Sequence, residues 1–254
     1  MGFCEYKIEF PSLKLRVDQS EEWVIVHSEG KTEKIFLHDY ARFYEIPGLY
    51  EEVIYKRLQC ISPQMICSLL KTELQKNEEG PQNLRALDFG AGNGIVGEYL
   101  KQEIGCDVLV GLDIIPEAFD AAQRDRPGIY DDYYVMDLSQ PTKSVEKKLG
   151  TWNFNVLLTI GALGFNDIPT RSFIHVFNMI EDNAWVAFTI KDKFLSKNDD
   201  SGFNEMLSSM VGDSFHVLKI DRYCHRLSIS GEPLYYYAIV GKTVKKTKIL
   251  RPPG

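Results

Sequence analysis

The hydrophobic and polar positions divide the chain into two parts with different patterns. In the first part, Trp23–His27 and Lys34–Leu37 flank a turn at residues 28–31, which predicts a β-hairpin. Tyr6–Phe10 and Leu13–Val17 predict further short strands before this hairpin. We therefore expect antiparallel β-structure in the first part of the chain.

A helical pattern that is rich in aromatic side chains follows over His38–Lys76. Pro47-Gly48 predicts a break after the first helix, and Ser62-Pro63 predicts the start of another. The polar residues 76–83 contain Gly80-Pro81 and predict a linker. We expect these helices to form a cap in front of the next part of the chain.

The second part alternates apolar runs of strand length with helical patterns, which predicts a parallel sheet with helices on both faces. The last two strands have no helix between them and predict an antiparallel hairpin. The predicted strands are Arg85–Phe89, Val108–Leu112, Tyr133–Met136, Phe154–Ile160, Ala184–Ile190, His216–Tyr223 and Leu234–Val240. The predicted helices are Ile95–Ile104, Pro116–Arg124, Val145–Leu149 (a short helix at best), Pro169–Ile180 and Gly202–Val211.

These patterns predict an N-terminal hairpin and helical cap over residues 1–80, an α/β core over 81–246 and a tail over 247–254.

Composition and charge argue against several classes of protein. The net charge of -7 and the pI near 5.3 argue against a nucleic-acid partner, and no apolar run has the length of a membrane span. The five cysteines form no C-x-x-C pair, so we expect a cytoplasmic protein without a metal site.

The stretch Arg85–Gly97 combines an apolar strand, a glycine-rich turn and the start of a helix. Asp88 ends the strand, and Gly90, Gly92 and Gly94 follow at alternate positions, where the missing Cβ allows a ligand to come close. Gly92, Gly94 and Gly97 also spell the G-x-G-x-x-G pattern of dinucleotide sites. The glycines alone therefore leave an NAD-type and an S-adenosylmethionine-type site open.

The position of the acid relative to the glycines favours the second alternative. Asp88 stands two residues before Gly90, and this frame resembles the first motif of class I S-adenosylmethionine-dependent methyltransferases. The dinucleotide frame would leave Asp88 and Gly90 unexplained. The resemblance implies a seven-stranded, mostly parallel, doubly wound Rossmann-like sheet with one reversed strand at its edge, which agrees with the predicted C-terminal hairpin.

The same resemblance implies roles at the ends of three strands. Asp88 and the glycine loop would face the methionine end of the cofactor, Asp113 would hold the ribose hydroxyls, and Asp137 would accept from the adenine amino group. The adenine ring would lie between Ile114 and Met136. The expected cofactor residues are Asp88, Gly90, Gly92, Asn93, Gly94, Asp113, Ile114, Met136, Asp137, Leu138, Thr159 and Gly161.

A narrower resemblance covers roughly Leu84–Pro169. Gly111–Ile114, Gly128–Asp131 and Met136–Leu138 look like the methyltransferase-like 27 (Williams–Beuren region) group, and Gly94–Gly97 also fits it. The N-terminal hairpin and the tyrosine-rich helices lie outside this resemblance. The identity of the substrate therefore does not carry over from that group.

The aromatic segment His38–Tyr55 is the expected lid, and we expect the acceptor to be a small molecule. The loop at 161–169 lacks the Asn/Asp-Pro-Pro-Tyr pattern of enzymes that methylate amino groups of DNA bases and protein glutamine, which disfavours nucleic-acid bases. The expected lid and substrate residues are Tyr40, Tyr44, Tyr50 and Phe165, and the candidate base is His38. We expect a monomer or homodimer; an NAD-type oxidoreductase and a non-catalytic binding module remain the alternatives.

Overall fold

The computed structural model describes residues 6–11, 17–28, 30–77, 83–165 and 167–244. Most of the predicted strand Leu13–Val17, the Gly80-Pro81 linker and the tail at 247–254 lie outside these ranges.

The N-terminal residues form a small antiparallel sheet of three strands, β1 (Tyr6–Glu9), β2 (Trp23–Ser28) and β3 (Lys31–Phe36), in the order β1-β2-β3. Gly30 has φ +75° in the turn between β2 and β3, a conformation that glycine adopts without steric cost. The predicted hairpin is confirmed.

Helix α1 (Tyr40–Glu45), a π-helical segment (Glu51–Arg57) and helix α2 (Ser62–Lys76) follow. Gly48, with φ +74°, lies in the break between α1 and the π-helical segment, as the sequence predicts. Phe43, Leu49 and Val53 are fully buried and pack with Val24 and Ile35 of the small sheet. The small sheet and the first two helical segments thus share one apolar core.

The main sheet contains seven strands in the order β6-β5-β4-β7-β8-β10-β9. The first four pairs in this order are parallel, and helices cover both faces, so the predicted fold class is confirmed. Its strands are β4 (Arg85–Phe89), β5 (Val108–Asp113), β6 (Asp132–Val135), β7 (Val156–Leu163), β8 (Trp185–Lys191), β9 (Phe215–Leu227) and β10 (Pro233–Thr243). Its helices are α3 (Ile95–Glu103), α4 (Pro116–Asp125), α5 (Lys143–Gly150), α6 (Thr170–Met179) and α7 (Phe203–Met210).

The reversed strand does not form the edge, which corrects the sequence prediction. Strand β10 is antiparallel to both β8 and β9 and lies between them. Strand β9 runs in the direction of β8 and forms the edge, because β10 folds back into the space between them.

Several element boundaries also differ from prediction. Helix α5 is longer than expected, because the Thr142 side chain caps its start by accepting from Val145 N–H. Strand β7 continues to Leu163 rather than ending at Ile160, which places Gly161 inside the strand. Strand β6 ends at Val135, two residues before Asp137.

A buried ion pair joins the N-terminal part to the main sheet. Glu22, just before β2, and Arg226 of β9 are 2.5 Å apart (Oε2 to Nη2), and their side chains are 1% and 4% exposed. The other Glu22 oxygen accepts from the Ile229 N–H at 2.7 Å. Nothing in the local sequence indicated this pair, because 204 residues separate its members.

No helix in the described ranges has both the length and the apolar character needed to cross a membrane.

Candidate functional site

A cavity of about 300 Å³ lies beyond the carboxyl ends of β4, β5 and β6, beneath the aromatic residues of α1 and the segment after it. This is the edge at which open α/β sheets bind ligands. Its described lining residues are His38, Tyr40, Tyr44, Tyr50, Phe89, Gly90, Asp113, Ile114, Ile115, Met136, Asp137, Leu138, Ile160, Gly161, Ala162, Asp167, Ile168, Pro169 and Ser172.

Asp113 ends β5 and lines this cavity, as the sequence predicts. Its carboxylate accepts from the Gly92 N–H at 2.9 Å and from the Ile115 N–H at 3.1 Å. Burial raises the pKa of Asp113, and the backbone hydrogen bonds partly offset that rise. The carboxylate is therefore held in a fixed orientation and also ties the glycine loop to the end of β5.

The residues after β6 line the same cavity. Met136, Asp137 and Leu138 are among its lining residues, and so is Ile114, which has 56% of its surface exposed. Asp137 accepts from the Ser139 N–H at 2.7 Å and from the Ser139 hydroxyl at 2.9 Å, which orients its carboxylate. The fold thus brings together the two acids and the two apolar side chains that the sequence assigned to ribose and adenine.

Asp88 differs from the other two acids, because it does not line the cavity. It is fully buried, and its Oδ2 accepts from the Tyr130 hydroxyl at 2.8 Å. Its Oδ1 has no hydrogen-bond partner among the described residues. Burial raises the pKa of Asp88 to about 7, and the Tyr130 hydrogen bond partly opposes the rise. This acid braces the end of β4 beneath the glycine loop.

The raised pKa of Asp88 predicts a stability that falls as the pH rises. The ordinary pKa is 3.8 and the folded value about 7, so between these values the folded chain keeps a proton that the unfolded chain has lost. Across that window, the ionisation of Asp88 lowers the free energy of unfolding by about 4 kcal/mol. We expect Asp88→Asn to flatten urea-derived unfolding free energies between about pH 4 and pH 7, with a remaining slope from Asp113. An unchanged slope would contradict the raised pKa.

The glycine loop is closer to protein groups than the sequence suggests. Gly90, Gly92 and Gly94 all have positive φ, at +81°, +53° and +85°. Of the three, only Gly90 lines the cavity. A Cβ at Gly92 would overlap the Tyr44 hydroxyl, and one at Gly94 would meet Tyr130 at 3.2 Å. Tyr44 of α1 therefore occupies the space that we predicted for a ligand above Gly92.

Asn93 and Thr159 also lie away from the cavity. The Asn93 side chain is 2% exposed and donates to Glu51 of the π-helical segment at 3.0 Å. Arg126 reaches the same Glu51 carboxylate at 2.8 Å. Thr159 is fully buried in β7, and its hydroxyl has no hydrogen-bond partner in the part of the chain that the structure describes. The Glu51 contacts connect the cap to the glycine loop.

The three predicted lid tyrosines line the cavity as one aromatic wall. The ring centroids of Tyr40 and Tyr44 are 6.4 Å apart, those of Tyr44 and Tyr50 are 5.0 Å apart, and those of Tyr40 and Tyr50 are 6.4 Å apart. Burial raises the pKa values of all three hydroxyls, so they remain protonated at neutral pH. Tyr44 also packs on Ala118 and Ala121 of α4, which fixes α1 over the site.

His38 lies at one end of the cavity beside Asp167. Its Nδ1 is 3.5 Å from Asp167 Oδ1, and the Tyr40 hydroxyl donates to Asp167 Oδ2 at 3.3 Å. Phe165, which has φ +53°, packs against the His38 ring at a centroid distance of 5.1 Å but does not line this cavity. Phe165 instead contributes to a smaller neighbouring cavity.

The sequence interpretation missed Asp167. The sequence predicts a role near the substrate for Phe165 and near the cofactor for Gly161, but it assigns none to Asp167. A lone acid in a short loop carries no signal of its own, because the contact with His38 spans 129 positions of the chain. In the described ranges, no group of three or more His, Cys, Asp or Glu residues is arranged to hold a metal ion.

The fold is similar to that of solved methyltransferases. The plantazolicin methyltransferase BpumL, solved in complex with SAH, aligns with 81% of this chain and 95% of its own, at 12% identity and a TM-score of 0.53. The N-methyltransferase NodS from Bradyrhizobium japonicum WM9 aligns with 77% of this chain and 99% of its own, at 13% identity and a TM-score of 0.51. No protein-family profile and no curated protein sequence matches the chain. At these identities the similarity establishes the fold.

Proposed function

We propose that this protein is an S-adenosylmethionine-dependent methyltransferase that acts on a small molecule. The observation that carries the proposal is the meeting of Asp113, Ile114, Met136 and Asp137 at one cavity beyond the strand ends. A separate ribose carboxylate, an adenine carboxylate and an apolar clamp are the parts that an adenosyl group needs. The structures of BpumL and NodS agree with this proposal at the level of the fold.

The residues in the cavity fit that cofactor. Asp113 would accept from the ribose hydroxyls with the lone pairs that Gly92 and Ile115 leave free, since a carboxylate has about four acceptor positions. Asp137 would accept from the adenine amino group, and the ring would lie between Ile114 and Met136. The carboxylates of Asp113 and Asp137 suit a ligand that carries a positively charged sulfonium.

The chain itself supplies position and exclusion of water. When bound, S-adenosylmethionine supplies a methyl group attached to a sulfonium. The positive charge on the sulfur already makes the thioether a good leaving group. The wall of Tyr40, Tyr44 and Tyr50 covers the cavity from the cap and keeps bulk water away from the transfer. His38, at the edge of this wall and next to Asp167, is the candidate base for an acceptor that loses a proton.

Two features support a small acceptor and a narrower family. The cavity of about 300 Å³ has the size of a small-molecule site, and Tyr40, Tyr44 and Tyr50 of the cap line it. The segments Gly111–Ile114 and Met136–Leu138, which carry the resemblance to the methyltransferase-like 27 group, both contribute to this cavity. We also propose a cytoplasmic location, because Cys60, Cys67, Cys106 and Cys224 are free thiols.

Calorimetry with S-adenosylhomocysteine and NADH in parallel tests the proposed cofactor. We expect S-adenosylhomocysteine to bind at micromolar concentrations and NADH not to bind. Preferential binding of NADH would overturn the proposal in favour of an oxidoreductase. Tight binding of S-adenosylhomocysteine, without transfer of a labelled methyl group from S-adenosylmethionine to any acceptor in a broad small-molecule panel, would favour a non-catalytic binding module.

Hydrogen exchange tests whether the aromatic segment is a lid. Tyr44 touches Gly92, and Glu51 binds both Asn93 and Arg126, so a ligand at the strand ends must alter the cap. We expect S-adenosylhomocysteine to slow amide exchange in residues 38–56 as well as in the glycine loop. Helix α7 (Phe203–Met210), which does not line the cavity, is the internal control and should not change. Protection confined to the loop and strand ends would reject the lid.

The full chain is the right material for this experiment. Removing residues 1–56 would also remove Glu22 and leave the Arg226 guanidinium buried without its carboxylate. A truncated protein would therefore lose stability for a reason unrelated to the lid.

A further inference from the structure

Asp167 gives the cavity a carboxylate that no lysine or arginine of the described ranges pairs with. Its side chain is 21% exposed, and among the described residues its contacts are His38 at 3.5 Å and the Tyr40 hydroxyl at 3.3 Å. The described lining of the cavity includes no Lys or Arg. Asp167, Asp113 and Asp137 together give the cavity a negative charge, which favours cationic ligands.

The aromatic wall next to Asp167 has the same preference. The rings of Tyr40, Tyr44 and Tyr50 line the cavity, and aromatic rings attract an ammonium group through their negative faces. Because their hydroxyls stay protonated, the tyrosines add hydrogen-bond acceptors without adding a second ionised group that must be balanced. Acid and aromatic rings in one place are the combination that recognises alkylammonium groups.

The space beyond this wall admits only a small group. A second cavity of about 50 Å³ shares the wall formed by His38, Tyr40, Tyr50 and Gly161. Arg226 reaches this second cavity, but its charge is already balanced by Glu22 at 2.5 Å. No unbalanced cation of the described lining therefore opposes the binding of an ammonium ion here.

We propose that the acceptor is a small aliphatic amine, which binds as an ammonium ion between Asp167 and the wall of Tyr40 and Tyr50; this rests on the proposed function. His38 takes the ammonium proton and passes it to solvent. The freed nitrogen lone pair then forms the N–C bond, the electron pair of the broken S–C bond stays on sulfur, and the positive charge moves from sulfur to nitrogen. Asp167 holds the substrate and orients His38.

A matched pair of probes tests the charge preference without knowledge of the substrate. Choline and 3,3-dimethylbutan-1-ol have nearly the same shape and differ by one positive charge. We expect choline to bind roughly tenfold tighter than the alcohol in calorimetry, with and without S-adenosylhomocysteine. Asp167→Asn should remove most of that preference and leave the weak binding of the alcohol unchanged. The matched control Asp120→Asn alters an exposed acid of α4 outside the cavity and should keep the preference.

Equal binding of the two probes, tighter binding of the alcohol, no binding of choline, or a preference as large in Asp167→Asn as in the wild-type protein would each overturn the amine proposal. The fate of the proposed function is read separately, from the affinity for S-adenosylhomocysteine in the same proteins. That affinity should be unchanged in Asp167→Asn, since Asp113 and Asp137 are intact. If the wild-type protein does not bind S-adenosylhomocysteine, the methyltransferase proposal is overturned. The charge preference is measured independently of that result, in the ligand-free protein.

Discussion

Asp113→Ala should weaken the binding of S-adenosylhomocysteine by ~30–150-fold. The substitution removes the acceptor that we assign to the ribose hydroxyls, and two hydrogen bonds to a charged acceptor contribute about 2–3 kcal/mol. It also frees the Gly92 N–H, which donates to this carboxylate at 2.9 Å, so the glycine loop loses its attachment to β5. Isothermal calorimetry on the folded variant measures the change in the dissociation constant.

Two controls make the result specific to the cavity. Asp120→Ala removes an acid from the exposed side of α4 and should leave the dissociation constant unchanged. Asp113→Asn keeps the shape of the side chain and one acceptor oxygen, so we expect it to bind better than Asp113→Ala. A wild-type dissociation constant in a folded Asp113→Ala protein would reject the ribose assignment.

Glu22→Ala should lower the free energy of unfolding by about 3–5 kcal/mol, because it leaves the buried Arg226 guanidinium without its charged partner. The Ile229 N–H also loses the acceptor that it meets at 2.7 Å. A loss of this size is a large part of the stability of a typical domain, and urea denaturation measures it.

The exposed pair Arg42–Glu33 provides the matched control. These side chains are 37% and 44% exposed and 2.7 Å apart, so Glu33→Ala should cost no more than about 1 kcal/mol. The double variant Glu22→Leu with Arg226→Met should recover much of the loss, because an apolar pair no longer carries an unpaired buried charge. A change in Glu22→Ala as small as that of Glu33→Ala would show that the buried pair does not hold the N-terminal part in place.

The three acids at the strand ends show which features of the site can be predicted from the sequence. Their positions followed from the pattern, since a polar residue that ends an apolar run lies at the carboxyl edge of a parallel sheet. Asp113 and Asp137 reach the cavity, but Asp88 turns beneath the loop to meet the Tyr130 hydroxyl at 2.8 Å. The pattern locates the end of each strand, whereas the direction of a side chain depends on neighbours that come from other elements.

The glycine loop and the lid show the same division. The alternate glycines predicted a tight turn, and Gly90, Gly92 and Gly94 do have positive φ. The Tyr44 hydroxyl above Gly92 could not be predicted, because it depends on how α1 packs against α4. The order of β9 and β10 was also beyond the sequence, since a hairpin signal fixes the pairing of two strands and not which of them faces the rest of the sheet.

The sequence by itself determined what depends on neighbouring residues: the alternation of strands and helices, the glycine turn, the acids at the strand ends and the aromatic segment in front of the core. These follow from periodicity and backbone preference, which act over a few positions. Only the tertiary structure decided which groups meet: Glu22 with Arg226 across 204 positions, His38 with Asp167, and Tyr44 with Gly92. Such contacts are set by the packing of whole elements, whose energy is shared among many side chains and is not written in any single stretch of the chain.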